Sequence, residues 1–144
     1  AKKARNYAAA MHVPIAFIEK RRAANDAKAE ALTLIGDVAN HDVVLVDDEV
    51  DTGGSMAQAI NLVKDCGARD VYVSFVHPIL SAQAASRLGS LPVKQLITTD
   101  TVPLTPEKRA LLGDKAKVLS VSGLIGEVIL RANEGRSVGE MFNE

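Results

Sequence analysis

Four consecutive apolar residues, Val43 to Val46, run directly into the acidic pair Asp47-Asp48, then through Glu49-Val50-Asp51 into Thr52-Gly53-Gly54-Ser55. From Ser55 onward apolar residues recur at helical spacing, at Met56, Ile60 and Val63, and Gly67 is placed to end the helix. Few folds accept that order. A short run that is apolar at every position is the pattern of a strand buried on both faces of a parallel sheet. Followed by a charged loop and a helix start, it is the building block of an α/β domain. Ligands in such domains sit at the carboxyl ends of the strands, where the acids after Val46 fall.

The same alternation runs through the rest of the chain. Lys2 to about Met11 reads as a helix and Val13–Ile18 as a short buried strand. Lys20 to Glu30 is charged and alanine-rich without an apolar face, which predicts a mobile loop or a loose helix. Ala31–Ile35 reads as a strand ended by Gly36-Asp37, Val71–Val76 as a strand, and Ser81–Leu88 as a short helix. Lys94–Thr98 and Val118–Val121 read as further strands, and Leu124, Ile125, Val128 and Ile129 define an amphipathic helix. The fold expected is α/β, one domain with a mostly parallel twisted sheet flanked by helices. The 144 residues suffice for one core, with no internal repeat or linker.

Charge narrows the functional classes. With 17 basic against 18 acidic residues, nothing favours general attraction to nucleic acid or to a membrane surface. No Trp, three Phe and two Tyr leave little for base stacking. No apolar run approaches the roughly 20 residues that span a bilayer, and no signal peptide is visible, so a cytoplasmic setting is expected. Cys66, the only cysteine, excludes an internal disulfide and is expected to be a buried structural thiol.

An ordinary capped helix start would also use Asp, Thr, Gly and Ser. Adjacent acids at a strand end repel one another, however, which favours a ligand. Unpaired N–H groups at a helix start hold phosphate, glycines allow close approach, and the Thr and Ser hydroxyls add donors. Carboxylates alone would repel a phosphate. Asp47 and Asp48 therefore suit sugar hydroxyls, or a magnesium ion travelling with the substrate. Together these parts describe a cradle for a phosphorylated sugar. A second cluster, Lys20-Arg21-Arg22, follows the first predicted strand. His12 and His41 lie in apparent turns, and His77 precedes a proline at a strand end, where a structural or subunit-contact role is expected. No cluster of His, Cys or carboxylates reads as a protein-only metal site.

Asp47-Asp48 followed by Asp51-Thr-Gly-Gly-Ser55 resembles the phosphoribosyl pyrophosphate motif of the type I phosphoribosyltransferase fold, with Ser55 in place of the usual Thr. Lys20-Arg21-Arg22 is similar to the start of the flexible catalytic loop of ribose-phosphate pyrophosphokinases. The likeness continues through Gly36-Asp37-Val38, Val76-His77-Pro78, Thr98-Thr-Asp-Thr-Val-Pro103, Ser122-Gly-Leu-Ile-Gly-Glu-Val-Ile129 and Glu134–Phe142, in the order of that family's C-terminal half.

The resemblance implies that Lys20 and Arg22 are catalytic and stabilise charge on ATP phosphates. It implies that Asp47 and Asp48 hold the ribose hydroxyls of ribose 5-phosphate, and that Asp51, Thr52, Gly53, Gly54 and Ser55 cradle its 5-phosphate. It further implies Mg2+ with ATP as co-substrate, and a homo-oligomer. The family carries an N-terminal half with ATP and metal contacts and a strand just before the segment that matches here. Residues 1–144 are thus expected to be one phosphoribosyltransferase-like domain, a portion of a longer enzyme and inactive alone. A non-catalytic regulatory homologue and a phosphoribosyltransferase remain alternatives.

Overall fold

The computed structural model describes residues 2–22 and 30–142, with side chains described for 4–19 and 32–142. Helix α1 (Lys2–Met11) leads into β1 (Phe17–Arg22) and β2 (Glu30–Ile35), followed by β3 (Val43–Glu49), α2 (Gly54–Asp65) and β4 (Val71–His77). Then come α3 (Ala84–Ser90), β5 (Gln95–Thr99), α4 (Pro106–Leu112), β6 (Ala116–Leu119) and α5 (Ser122–Glu134), with 3₁₀ turns at Gly113–Lys115 and Gly139–Phe142. Strands β3, β4, β5 and β6 form a parallel four-stranded sheet in that order, while β1 and β2 pair antiparallel as a separate ribbon. The expected α/β architecture, a parallel sheet flanked by helices, is the one observed.

Alternation along β4 sends Val71, Val73 and Phe75 into the core. Met56, Ile60 and Val63 of α2 meet them there, as the helical spacing predicts, with Ala84, Ala85 and Leu88 of α3 and Leu112 of α4. Ile60, Val73 and Leu88 lose all exposure. Burying a side chain of this size contributes roughly 1.5–3 kcal/mol, so this cluster dominates the stability of the sheet. Gly67, at φ +88°, ends α2 as expected.

Several elements differ from the sequence reading. The first strand is Phe17–Arg22 rather than Val13–Ile18. Pro14 has no N–H to donate to a ladder, whereas the charged Lys20–Arg22 stretch gains backbone partners by pairing with Glu30–Leu32. Lys20–Arg22 and Glu30 are therefore strand, not loop or helix, and residues 23–29 of the expected mobile segment lie outside the described residues.

Strand β3 is not buried on both faces. It lies at the edge of the four-stranded sheet, and Val44 is 41% exposed. It also runs on through Asp47, Asp48 and Glu49, so these acids belong to the strand end rather than to a loop. Helix α3 starts at Ala84 instead of Ser81, because Leu80 and Ala82 adopt φ values of +47° and +48°. Helix α4, absent from the sequence reading, is started by Thr105, whose hydroxyl accepts from Lys108 N at 3.3 Å, with Pro106 at the first turn. Strand β6 begins two residues early, at Ala116. Cys66 is exposed at the end of α2, not buried. Helix α5 buries none of its residues, and Ile129 is 63% exposed.

Candidate functional site

The carboxyl end of β3 and the first turn of α2 are joined by residues 50–53. Val50, 3% exposed, pins this connection to the core. Its N–H donates to the His77 carbonyl at 3.1 Å and its carbonyl accepts from Leu80 N at 2.9 Å. The carbonyl of Asp51 accepts from Ser81 N at 3.0 Å, and that of Thr52 from the Arg87 guanidinium at 2.5 Å.

Gly53 stands at the N-cap of α2 with φ +71°, a left-handed conformation that glycine adopts without steric cost. It is buried against α3, where an added Cβ would sit 3.4 Å from Ala84 Cβ. As a glycine, the N-cap residue has no side chain to cap α2, and the first turn carries no acid. The partial positive charge and donors of this helix start are thus not answered by a carboxylate of the helix itself.

Asp47, Asp48, Asp51, Thr52, Gly53, Gly54 and Ser55 line one pocket of about 310 Å³, together with Glu49, Val50 and Met56. Every residue expected to bind the sugar phosphate is therefore brought to one place. Asp47 turns a carboxylate oxygen onto the backbone N–H of Asp48 at 2.9 Å. In the sheet register Asp47 stands opposite Phe75, and Glu49 opposite His77. The pocket can offer main-chain donors to an anion at its glycine end and carboxylates to hydroxyls at its strand end.

Lys20 and Arg22 lie in β1, opposite Leu32 and Glu30 of β2, and their side chains fall outside the described residues. Among the described residues no group of three or more His, Cys, Asp or Glu could hold a metal ion. The paired carboxylates of Asp47 and Asp48 do fit the usual way magnesium is bound, by one or two carboxylates plus substrate phosphates.

Two further groups sit at the carboxyl edge of the sheet. His77 Nδ1 lies 2.9 Å from Thr101 Oγ1, which also donates to the Val76 carbonyl at 3.1 Å. Asp100 accepts from Ser120 Oγ at 2.6 Å and Val121 N at 2.8 Å, and these bonds hold its carboxyl below the usual carboxylate range. The sequence gives Arg87 no role and places Asp100 only within the matching Thr98–Pro103 stretch. A lone Arg in Ala-Ala-Ser-Arg-Leu carries no signal, while Asp100, at the end of a strand, had a positional one.

Residues 22–143 match the family described as phosphoribosyl synthetase-associated domain. A ribose-phosphate pyrophosphokinase of Caldanaerobacter subterraneus is 42% identical over 97% of this chain and 43% of its own length. Another, from Pasteurella multocida, is 40% identical over 89% of this chain and 40% of its own. The crystal structure of phosphoribosylpyrophosphate synthetase from Mycobacterium smegmatis aligns with a TM-score of 0.82 at 33% identity, covering 94% of this chain and 43% of that one. This chain thus spans less than half the length of these relatives. Sequence and fold agree on one grouping: the chain belongs to the phosphoribosyl synthetase-associated domain family.

Proposed function

We propose that this chain is the sugar-phosphate half of a ribose-phosphate diphosphokinase, which makes phosphoribosyl pyrophosphate from ATP and ribose 5-phosphate for nucleotide biosynthesis. The observation that carries the reading is the pocket lined from Asp47 to Met56, in a chain whose curated relatives are named ribose-phosphate pyrophosphokinase. In this reading the 5-phosphate lies on the N–H groups of residues 51–55, with the Thr52 and Ser55 hydroxyls as further donors. Asp47 and Asp48 accept hydrogen bonds from the ribose hydroxyls and so orient the sugar.

The C1 hydroxyl oxygen then attacks the β-phosphorus of ATP. The bond from that phosphorus to the α–β bridging oxygen breaks, AMP leaves, and the hydroxyl proton is released. Reactions of this kind depend on positioning and charge neutralisation. Lys20 and Arg22 neutralise charge on the phosphates, Arg through a fixed planar fork and Lys as a compact charge. Asp47 and Asp48 would be the residues to hold Mg2+, which when bound would supply further charge neutralisation.

The remaining length of the relatives leaves the ATP site to parts of the protein beyond this chain. A homo-oligomer accords with the exposed Leu124, Ile125 and Ile129 of α5. No helix among the described residues is long and apolar enough to cross a membrane, and a cytoplasmic setting is part of this reading. No role with nucleic acid is proposed. The test is turnover in the full-length protein: ATP and ribose 5-phosphate should yield AMP. Binding of ribose 5-phosphate without any release of AMP would establish a regulatory homologue instead.

A further inference from the structure

Three successive main-chain carbonyls of the pocket lining are held by a segment that contributes no lining residue. The carbonyls of Val50, Asp51 and Thr52 accept, in succession, from Leu80 N, Ser81 N and the Arg87 guanidinium. All three donors belong to the connection between β4 and α3 or to α3 itself. In a trans peptide the carbonyl and the following N–H point in opposite directions, and no cis bond occurs here. Tying these carbonyls toward residues 80–87 therefore turns the N–H groups of Asp51, Thr52 and Gly53 the other way. The pocket lining, Asp47 to Met56, contains no residue of α3. Successive N–H groups aimed to one side form an anion-binding concavity.

The supporting segment bears the conformational cost of this arrangement. Leu80 and Ala82 are both left-handed without being glycine, a conformation that persists only where surrounding structure enforces it. Leu80 is 1% exposed, and the Lys108 ammonium donates to the Ile79 carbonyl at 2.8 Å, so α4 braces the segment from behind.

Arg87 is the one side chain among these donors. Its guanidinium also lies 3.9 Å from where a Cβ on Gly54 would stand, beside the first turn of α2. The pocket rim carries Asp47, Asp48, Glu49 and Asp51, whose charges oppose an incoming phosphate. A fixed cation at Thr52–Gly54 offsets that repulsion at the end where the anion would bind.

We propose that Arg87 is a positioning residue for the phosphate of the sugar substrate. It fixes the Thr52–Gly53 peptide so that its N–H faces the ligand, and it supplies a positive charge behind the cradle. This proposal rests on the sugar-phosphate reading given above.

The test is made in the full-length protein with Arg87→Met and Arg87→Gln, the second keeping an amide donor without charge. Ribose 5-phosphate binding is measured by calorimetry, KM and kcat for both substrates by AMP release, and folding by thermal melting. Loss of one charge-assisted hydrogen bond predicts about tenfold weaker ribose 5-phosphate binding, while KM for ATP moves less than about twofold. The loss falls on KM for the sugar more than on kcat, and Arg87→Lys recovers part of it. Wild-type affinity in either uncharged variant overturns the proposal, and so does an equal rise in both KM values with a collapsed melting transition. If the wild-type protein itself fails to bind ribose 5-phosphate, the reading of the pocket falls first. If wild type binds and Arg87→Gln binds equally well, only the role of Arg87 falls.

Discussion

Gly89 lies so close to the main-chain carbonyl of Leu111 that a methyl group on its Cα would overlap it. This contact sets how near α3 approaches α4. Lys115 reinforces it by donating to the Gly89 carbonyl at 2.9 Å and to that of Leu91 at 2.8 Å. Gly89→Ala should therefore push the two helices apart and destabilise the fold by about 1–3 kcal/mol, the usual cost of overpacking. Denaturant unfolding measures it. An unchanged midpoint would mean that the helices yield freely.

The two glycines of the cradle should separate folding from binding. Gly54 begins α2, and a Cβ there meets nothing nearer than Thr52 Oγ1 at 3.8 Å. Gly54→Ala should keep or raise the melting temperature, since alanine favours helix by up to ~1 kcal/mol over glycine. The added methyl would still crowd the bound phosphate, so ribose 5-phosphate affinity should fall. Gly53→Ala places a side chain at φ +71° against Ala84, costing roughly 1–2 kcal/mol in the left-handed region. Both melting temperature and affinity should drop. Melting curves and calorimetry on the pair decide it: a stability loss in Gly54→Ala equal to that in Gly53→Ala would contradict this placement.

Lys20 should act on turnover alone. Removing a charge that stabilises the transferring phosphates costs on the order of a hundredfold in rate. Lys20→Ala in the full-length protein should show that loss with an unchanged ribose 5-phosphate dissociation constant. Parallel losses in rate and sugar binding would assign Lys20 to the sugar site.

At the opposite end of the sheet, Arg69 forks onto Asp42 through Nε and its terminal nitrogen, both at 2.7 Å. That pairing lowers the Asp42 carboxyl from 3.8 to about 2. A carboxylate depressed in the folded state adds stability that is complete above its unfolded value and lost as pH falls through its folded value. Asp42→Asn should thus lower the melting temperature modestly near neutrality, the gap closing between about pH 4 and pH 2. Melting scans across that range test it, and a pH-independent gap would locate the effect in packing.

Much of the fold was legible because side-chain periodicity is a local property. Met56, Ile60 and Val63 recur on one helical face, and those residues are buried. Val71–Val76 alternates, and β4 forms there. Thr52-Gly53-Gly54-Ser55 reads as a helix start, α2 begins at Gly54, and those residues line a pocket. Pairing is not local. The apolar run Val43–Val46 looked like a central strand, yet its place at an edge depends on which strands lie beside it, a matter of the whole sheet. Lys20–Arg22 has no apolar face, yet it forms strand because Glu30–Leu32 supplies backbone partners.

Composition and spacing alone therefore determined the α/β class and the core face of α2, since each follows from chemistry repeated within a few positions. The tertiary structure decided which distant groups hold the main chain at residues 50–52. Arg87 reaches Thr52 across 35 positions of sequence, and a contact closed over that distance leaves no trace in the residues around either partner.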